Sequence, residues 1–114
     1  MYRKQLGQLR PANTSAASLF TPGQSGQYKI YLIVIANTGS VSANASVYHD
    51  VDGSTYSTAT AIQYGTPVDV GGVIHLEFRD GLADYQAAGN LGVQSSVADT
   101  LTFTAYGIVD GEEL

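Results

Sequence analysis

Two aspartates and a glycine, Asp50, Asp52 and Gly53, form the stretch of this sequence that comes nearest to a chemical site. They match the Asp-x-Asp-Gly opening of a calcium loop, in which alternate carboxylates point to one cation and glycine permits a sharp bend. The rest of such a loop is missing, because Ser54 stands at its fifth position and Ala61 at its twelfth, where a bidentate glutamate should close it. Asp and Gly are also ordinary turn residues. The prediction is a strand-end turn without a metal, with Asp50 and Asp52 as the candidate ligands should a cation bind.

Catalytic motifs are absent from the sequence. His49 and His75 could be imagined beside a carboxylate, but there is no Gly-x-Ser-x-Gly elbow, His-Glu-x-x-His pair, phosphate loop or dinucleotide fingerprint. The chain has no Cys, which excludes disulfides, thiolate zinc sites and Cys nucleophiles. Both histidines fall at strand positions typical of a surface side chain. The sequence therefore predicts a protein that is not an enzyme and needs no cofactor.

Residues 28–37, YKIYLIVIAN, are predicted to be the central strand that positions everything else. β-branched and aromatic residues fill this stretch, and an Asn-Thr-Gly turn signal ends it. Side chains alternate along a strand, so two apolar faces are expected. One is formed by Ile30, Leu32 and Val34, and the other by Tyr31, Ile33 and Ile35. Since one sandwich core covers only one face, the second should contact another segment or another subunit.

Shorter alternating segments, separated by turn residues, predict the remaining strands. They are residues 18–21, 42–50, 58–63, 68–70, 73–78, 90–96 and 100–109. The turn NTGS predicts that the central strand and residues 42–50 form a hairpin, and Gly71-Gly72 predicts a second, tighter one. A helical turn is plausible only at residues 80–89.

The predicted fold class is all-β, an antiparallel β-sandwich of jelly-roll or Ig-like type with seven or eight strands. Residues 1–17 are expected to be an extended N-terminal arm and residues 18–114 the sandwich domain. The arm either reaches a neighbouring molecule or packs locally as a first strand along a sheet edge. At 114 residues the chain suits a single core.

The net charge of −5 argues against a nucleic-acid-binding surface, which needs a clustered positive field. The longest apolar run, residues 30–36, is far shorter than the roughly 20 residues of a membrane span, so no membrane partner is expected. The first residues lack an apolar signal region, and synthesis in the cytoplasm is expected. The basic residues Arg3, Lys4 and Arg10 near the start and the acidic tail could pair between copies, or both could simply be solvated.

Three long stretches of this sequence are similar to a known class of proteins. They are MYRKQLGQLRP, KIYLIVIANTGSVSANASVYHDVDG and GNLGVQSSVADTLTFTAYGIV. They resemble small β-sandwich proteins encoded among the virion structural genes of tailed bacteriophages. The resemblance implies a particle component, either a head decoration or cement protein, commonly trimeric on the capsid lattice, or a small tail or fibre part. It carries over no functional residue.

The expected function is a capsid decoration protein at the virion head surface that binds copies of itself, as a trimer, and the major capsid protein lattice. Candidate interface residues are Tyr2, Arg3, Lys4, Arg10, Tyr31, Ile33 and Ile35. The alternative is a tail- or fibre-associated carbohydrate- or receptor-binding module, with the Ser/Thr/Tyr-rich residues 52–64 as its site and Tyr56 as the test residue. Eight Tyr favour interfaces and sugar platforms, whereas the absence of Trp disfavours a lectin.

Overall fold

The computed structural model describes residues 4–20, 27–50, 53–79, 81 and 89–110, with eight strands and no helix in those ranges. The strands are β1 (Lys4–Leu9), β2 (Ala17–Phe20), β3 (Gln27–Asn37), β4 (Ala43–Asp50), β5 (Ala61–Val68), β6 (Val73–Glu77), β7 (Asn90–Ser95) and β8 (Leu101–Asp110). The predicted helical turn lies almost wholly outside the described residues. Across these ranges, no helix is long and apolar enough to cross a membrane.

The strands form two four-stranded antiparallel sheets packed face to face. The first, here the β3 sheet, has the order β1-β8-β3-β6, and the second, the β4 sheet, has the order β2-β7-β4-β5. The first strand pairs with the eighth, the second with the seventh, the third with the sixth and the fourth with the fifth. This nested pairing is the jelly-roll arrangement. The predicted β-sandwich is confirmed, and its strand order fits the jelly roll better than the Ig type.

Both predicted hairpins are wrong. β3 and β4 belong to different sheets, so the NTGS turn carries the chain from one sheet to the other. The Gly71-Gly72 turn likewise joins β5 of the β4 sheet to β6 of the β3 sheet, with the N–H of Gly72 donating to the carbonyl of Asp69 at 2.7 Å. Pro67 lies within β5, where an edge position tolerates its missing N–H.

The core lies between the inner faces of the two sheets. Its completely buried apolar side chains are Ile30, Ile33, Ile35, Ala45, Val47, Leu91, Val93, Leu101, Phe103 and Ala105. Full burial of each larger member stabilises the fold by about 1.5–3 kcal/mol relative to exposure. Along β8 the odd-numbered residues from 101 to 105 face inward, and they alternate in the sequence with Thr102 and Thr104.

A bulge in β3 changes which residues face the core. Gly107 and Tyr106 of β8 are opposite Ile30 and Leu32, so Tyr31 is the extra residue of β3 at this register shift. An extra residue of this kind shifts the alternation of everything that follows it by one position.

The predicted face of Tyr31, Ile33 and Ile35 is therefore wrong. Ile33 and Ile35 are completely buried in the core, where no partner can reach them in the folded chain. The outward side chains of β3 beyond the bulge are those of Leu32, Val34 and Ala36, and all three are half-buried.

Candidate functional site

The described part of the predicted arm lies on its own sandwich. Residues 4–9 form β1 and pair with β8 of the same chain, where Lys4 is opposite Gly107. Arg10 is exposed, and its Nη2 donates a hydrogen bond to the carbonyl of Asp99 at 2.5 Å. Tyr2 and Arg3, the other candidate contacts of the arm, lie outside the described residues. The start of the chain thus supplies an edge strand of the sandwich.

The aspartate cluster is organised as a turn. Oδ2 of Asp50 accepts the backbone N–H of Thr55 at 2.9 Å, which closes the chain after β4. Asp52 lies outside the described residues. Within the described ranges, no group of three or more His, Cys, Asp or Glu side chains is placed to hold a metal ion. What is seen of Asp50 fits the role of a turn residue.

The two histidines have different surroundings. His75 is exposed on β6, as expected of a surface side chain, whereas His49 is half-buried near the end of β4. Burial lowers the pKa of His49 below the usual 6.5, and the neighbouring Asp50 carboxylate opposes that shift. The expectation of two surface histidines is therefore right only for His75.

The edge strand β6 directs a row of backbone groups away from its sheet. Its ladder with β3 has no bulge. Two hydrogen bonds just beyond the two ends of β6 show which pairs of residues in this ladder are hydrogen-bonded. The N–H of Phe78 donates to the carbonyl of Tyr31, and the N–H of Asn37 donates to the carbonyl of Gly72, each at 3.0 Å. Bonded and non-bonded pairs alternate in an antiparallel ladder. The even-numbered residues of β6 therefore bond to β3, and the odd-numbered residues direct their N–H and C=O groups to the open edge.

The other three edge strands are interrupted. β1 gains an extra residue between Gln5 and Gly7, and β2 gains one between Ser18 and Phe20. β5 shifts its register twice against β4 and contains Pro67. Bulges and proline make an edge less able to pair with another chain. Among the described strands, β6 is thus the edge with an unbroken ladder and no proline.

The surface beside this edge is the outward side of the β3 sheet, which we call the outer β3 face. Residues directly opposite each other across a ladder share a face. The outer β3 face therefore comprises Leu32, Val34, Ala36, Val73, His75, Glu77, Thr102, Thr104 and Tyr106. An apolar stripe on β3 runs between threonines and a tyrosine on one side and the exposed side chains of β6 on the other.

A tyrosine cluster covers the outward side of the β4 sheet. Tyr48 points outward from β4, yet it is only 2% exposed. The ring of Tyr56 lies 6.0 Å from that of Tyr48, and the ring of Tyr64 meets it edge-on at 6.5 Å. The hydroxyl of Tyr48 donates to Oε1 of Gln94 at 2.5 Å. Tyr48 is therefore held in place from several sides.

Tyr56 and Tyr64 differ in accessibility. The ring of Tyr56 lies directly on Gly92, where an added Cβ would overlap it, and its hydroxyl donates to Oδ1 of Asn90 at 3.2 Å. Tyr64, in contrast, is 63% exposed. Tyr56, which the sequence suggested as a sugar contact, is a packing residue, and Tyr64 is the accessible ring of the cluster. Sequence reasoning missed this difference because it depends on how residues 53–60 fold over the sheet.

Comparison with known proteins adds no assignment. No protein-family model matches the chain, and no curated protein is significantly similar to it. The resemblance to phage virion proteins stays a prediction, and the functional proposal below depends on the surfaces just described.

Proposed function

We propose that this protein is a structural component of a bacteriophage particle, a capsid decoration protein that associates with copies of itself and with the major capsid protein lattice at the head surface. The observation that supports this most is the open edge of β6 beside the outer β3 face. A fold that interrupts three of its described edges and leaves the fourth regular is suited to receive a strand there.

Pairing at this edge would combine two kinds of interaction. The outward N–H and C=O groups of β6 would form main-chain hydrogen bonds, each contributing about 0.5–1.5 kcal/mol net. The side chains of the same odd-numbered residues, Val73, His75 and Glu77, lie on the outer β3 face and would give the contact its specificity. An edge strand of five residues favours a modest contact repeated many times, which suits a lattice.

The symmetry of the assembly depends on what β6 meets. Pairing of β6 with β6 of another copy gives a two-fold dimer. Contact of β6 with a different surface of the next copy is head-to-tail and closes a ring where the rotation between copies allows it, and the trimer expected from the resemblance belongs to this second type. The measured mass of the assembly distinguishes the two.

The proposal is tested by replacing His75 with proline. Residue 75 directs its N–H to the open edge, so His75→Pro removes an outward donor and leaves the bonds to β3 in place. His75→Thr is the matched control, because it removes the same imidazole, suits a strand and keeps the N–H. We expect wild type and His75→Thr to sediment as oligomers and His75→Pro as a folded monomer with an unchanged far-UV circular dichroism spectrum.

Two results would contradict the proposal. A wild-type chain that sediments as a monomer at tens of micromolar would refute self-association, and a His75→Pro oligomer of unchanged mass would refute the role of β6. Binding to the lattice is tested separately, by mass spectrometry of purified particles from the phage whose genome encodes this chain. Absence of the chain from those particles would refute the structural role.

A further inference from the structure

An irregularity in β5 opens a cavity on the outward side of the β4 sheet. Gly65 has a φ of +64°, a backbone conformation that favours glycine, and its N–H donates to Oγ of Ser46 at 3.0 Å. The register between β4 and β5 shifts at this point. The cavity has a volume of about 210 Å³ and is lined by Asn44, Ser46, Tyr64, Gly65, Gln94 and Ser96. Bulges often accompany functional sites.

The lining carries amide and hydroxyl groups on a largely apolar surface and has no charged side chain. Amide and hydroxyl groups line the cavity, and none of the six residues is Asp, Glu, Lys, Arg or His. Such a surface offers nothing to neutralise a phosphate, a carboxylate or an ammonium group. It suits a ligand that exchanges several neutral hydrogen bonds, as the hydroxyl groups of a sugar do.

Tyr64 provides an aromatic wall for this cavity. Tyr64 is 63% exposed, and its ring packs edge-on against that of Tyr48 with an interplanar angle of 68°. Tyr48 is in turn bonded to Gln94, so the orientation of the Tyr64 ring is supported from below. The C–H face of a pyranose ring is apolar and packs against an aromatic face, while its hydroxyl groups bond to the rim.

The polar groups around the ring are fixed by bonds within the chain. Oγ of Ser46 accepts the N–H of Gly65, and Oγ of Ser96 accepts the N–H of Asn44 at 2.7 Å. Each of these hydroxyls still carries a hydrogen that can be donated to a ligand. Gln94 uses both ends of its amide, since Nε2 donates to the carbonyl of Thr14 at 2.9 Å and Oε1 accepts from Tyr48. Gln94 is therefore a rigid wall between two donating hydroxyls.

From these features we propose that the cavity binds a neutral saccharide, with one sugar ring stacked on Tyr64 and its hydroxyl groups bonded to Ser46, Ser96 and the amide of Asn44. The volume of about 210 Å³ is below the roughly 300–1,000 Å³ of pockets that enclose drug-sized ligands, so one ring of a larger glycan is the unit that fits. This binding site is independent of the proposed assembly through β6, because Tyr64 lies on the other sheet.

The test uses the 114-residue chain on an array of neutral and acidic glycans, followed by titration of glucose, galactose, mannose and N-acetylglucosamine observed by NMR. Tyr64→Ala removes the ring, Tyr64→Phe keeps it, and Ile62→Ala removes another exposed apolar side chain of β5 that does not line the cavity. We expect wild type, Tyr64→Phe and Ile62→Ala to bind a neutral glycan and Tyr64→Ala to lose at least tenfold in affinity.

Three results would overturn the proposal. They are no binding to any glycan by the folded wild-type chain, binding confined to acidic glycans, and binding that Tyr64→Ala leaves unchanged. Sedimentation of Tyr64→Ala keeps this outcome separate from the assembly proposal. Its oligomeric mass should equal that of wild type whether or not sugar binding is lost, because the variant does not alter the β3 sheet.

Discussion

Asn37, at the end of β3, connects the two sheets through its side chain, and its replacement by alanine gives a stringent test of the fold. The side chain is nearly fully buried. Its Nδ2 donates to the carbonyls of Val41 and Val68, both at 2.9 Å, and its Oδ1 accepts the N–H of Gly39 at 3.0 Å. Val68 ends β5 in the β4 sheet, so these bonds join the turn after β3 to the opposite sheet.

Asn37→Ala removes all three bonds and leaves two carbonyls and one N–H without their partner. At about 0.5–1.5 kcal/mol net for each bond, the expected loss in the free energy of unfolding is about 3 kcal/mol. For a domain of this size, that loss corresponds to a fall in Tm of roughly 12 °C. Urea denaturation followed by far-UV circular dichroism measures it, with an m-value equal to that of wild type.

Asn13→Ala is the matched control. Asn13 is exposed, and the bond its Oδ1 accepts from the N–H of Ser15, at 2.9 Å, closes a local turn only. Its loss should cost less than about 1 kcal/mol. If Asn37→Ala costs no more than Asn13→Ala, the connection between sheets does not depend on the Asn37 side chain and the reasoning is wrong.

Two further substitutions test buried polar groups. Burial lowers the pKa of His49 below 6.5, so the unfolded chain binds a proton at this residue more readily than the folded chain does. The neutral His49 therefore contributes its full share to the free energy of unfolding above about pH 6.5, and that share falls as the pH drops below this value. His49→Gln should therefore flatten the decline in urea stability below pH 6.5, and an unchanged decline would contradict the assignment. Oε1 of Gln63 is buried without a hydrogen-bond partner among the described residues, so Gln63→Met should raise the free energy of unfolding by about 1 kcal/mol, whereas a decrease in the same assay would show that the amide is needed.

The existence of most strands and the faces of several could be predicted because period-two alternation reports burial directly. Leu101 and Phe103 of β8 alternate in the sequence with Thr102 and Thr104, and both are completely buried. His75, Glu77 and Arg79 alternate in the sequence with Ile74, Leu76 and Phe78, and all three are exposed. In both strands apolar and polar residues alternate without interruption from one turn to the next, so the sequence pattern matches the burial of the side chains.

Strand pairing could not be predicted in the same way. The NTGS and Gly-Gly signals correctly mark chain reversals, but turn residues specify local backbone angles and not the partner of the following strand. In a jelly roll the chain changes sheet at these turns so that both inner faces are covered. The partner of β3 is therefore found far along the sequence, in β8 and β6.

The candidate interface could not be predicted because the bulge at Tyr31 leaves no signal. Neither Gly nor Pro stands at that position, and residues 30–36 are apolar on both faces. A shift of one position exchanges the faces of all later residues without changing the composition of either. Ile33 and Ile35 therefore become core residues, and Leu32 and Val34 take the outward positions.

This exchange changes the chemistry expected of an interface on the β3 sheet. The sequence predicted a contact made on this strand by Tyr31, Ile33 and Ile35, but the outward residues of β3 beyond the bulge are already half-buried beside threonines and a tyrosine. Little apolar area is left there to bury, and main-chain bonds at β6 would supply more of the association. Removing one outward N–H by His75→Pro should then disrupt assembly more than placing a charge at Val34, because a lysine there can extend its ammonium group into solvent. The opposite order, with Val34→Lys the more disruptive, would mean that side chains of the outer β3 face and not the β6 backbone hold the copies together.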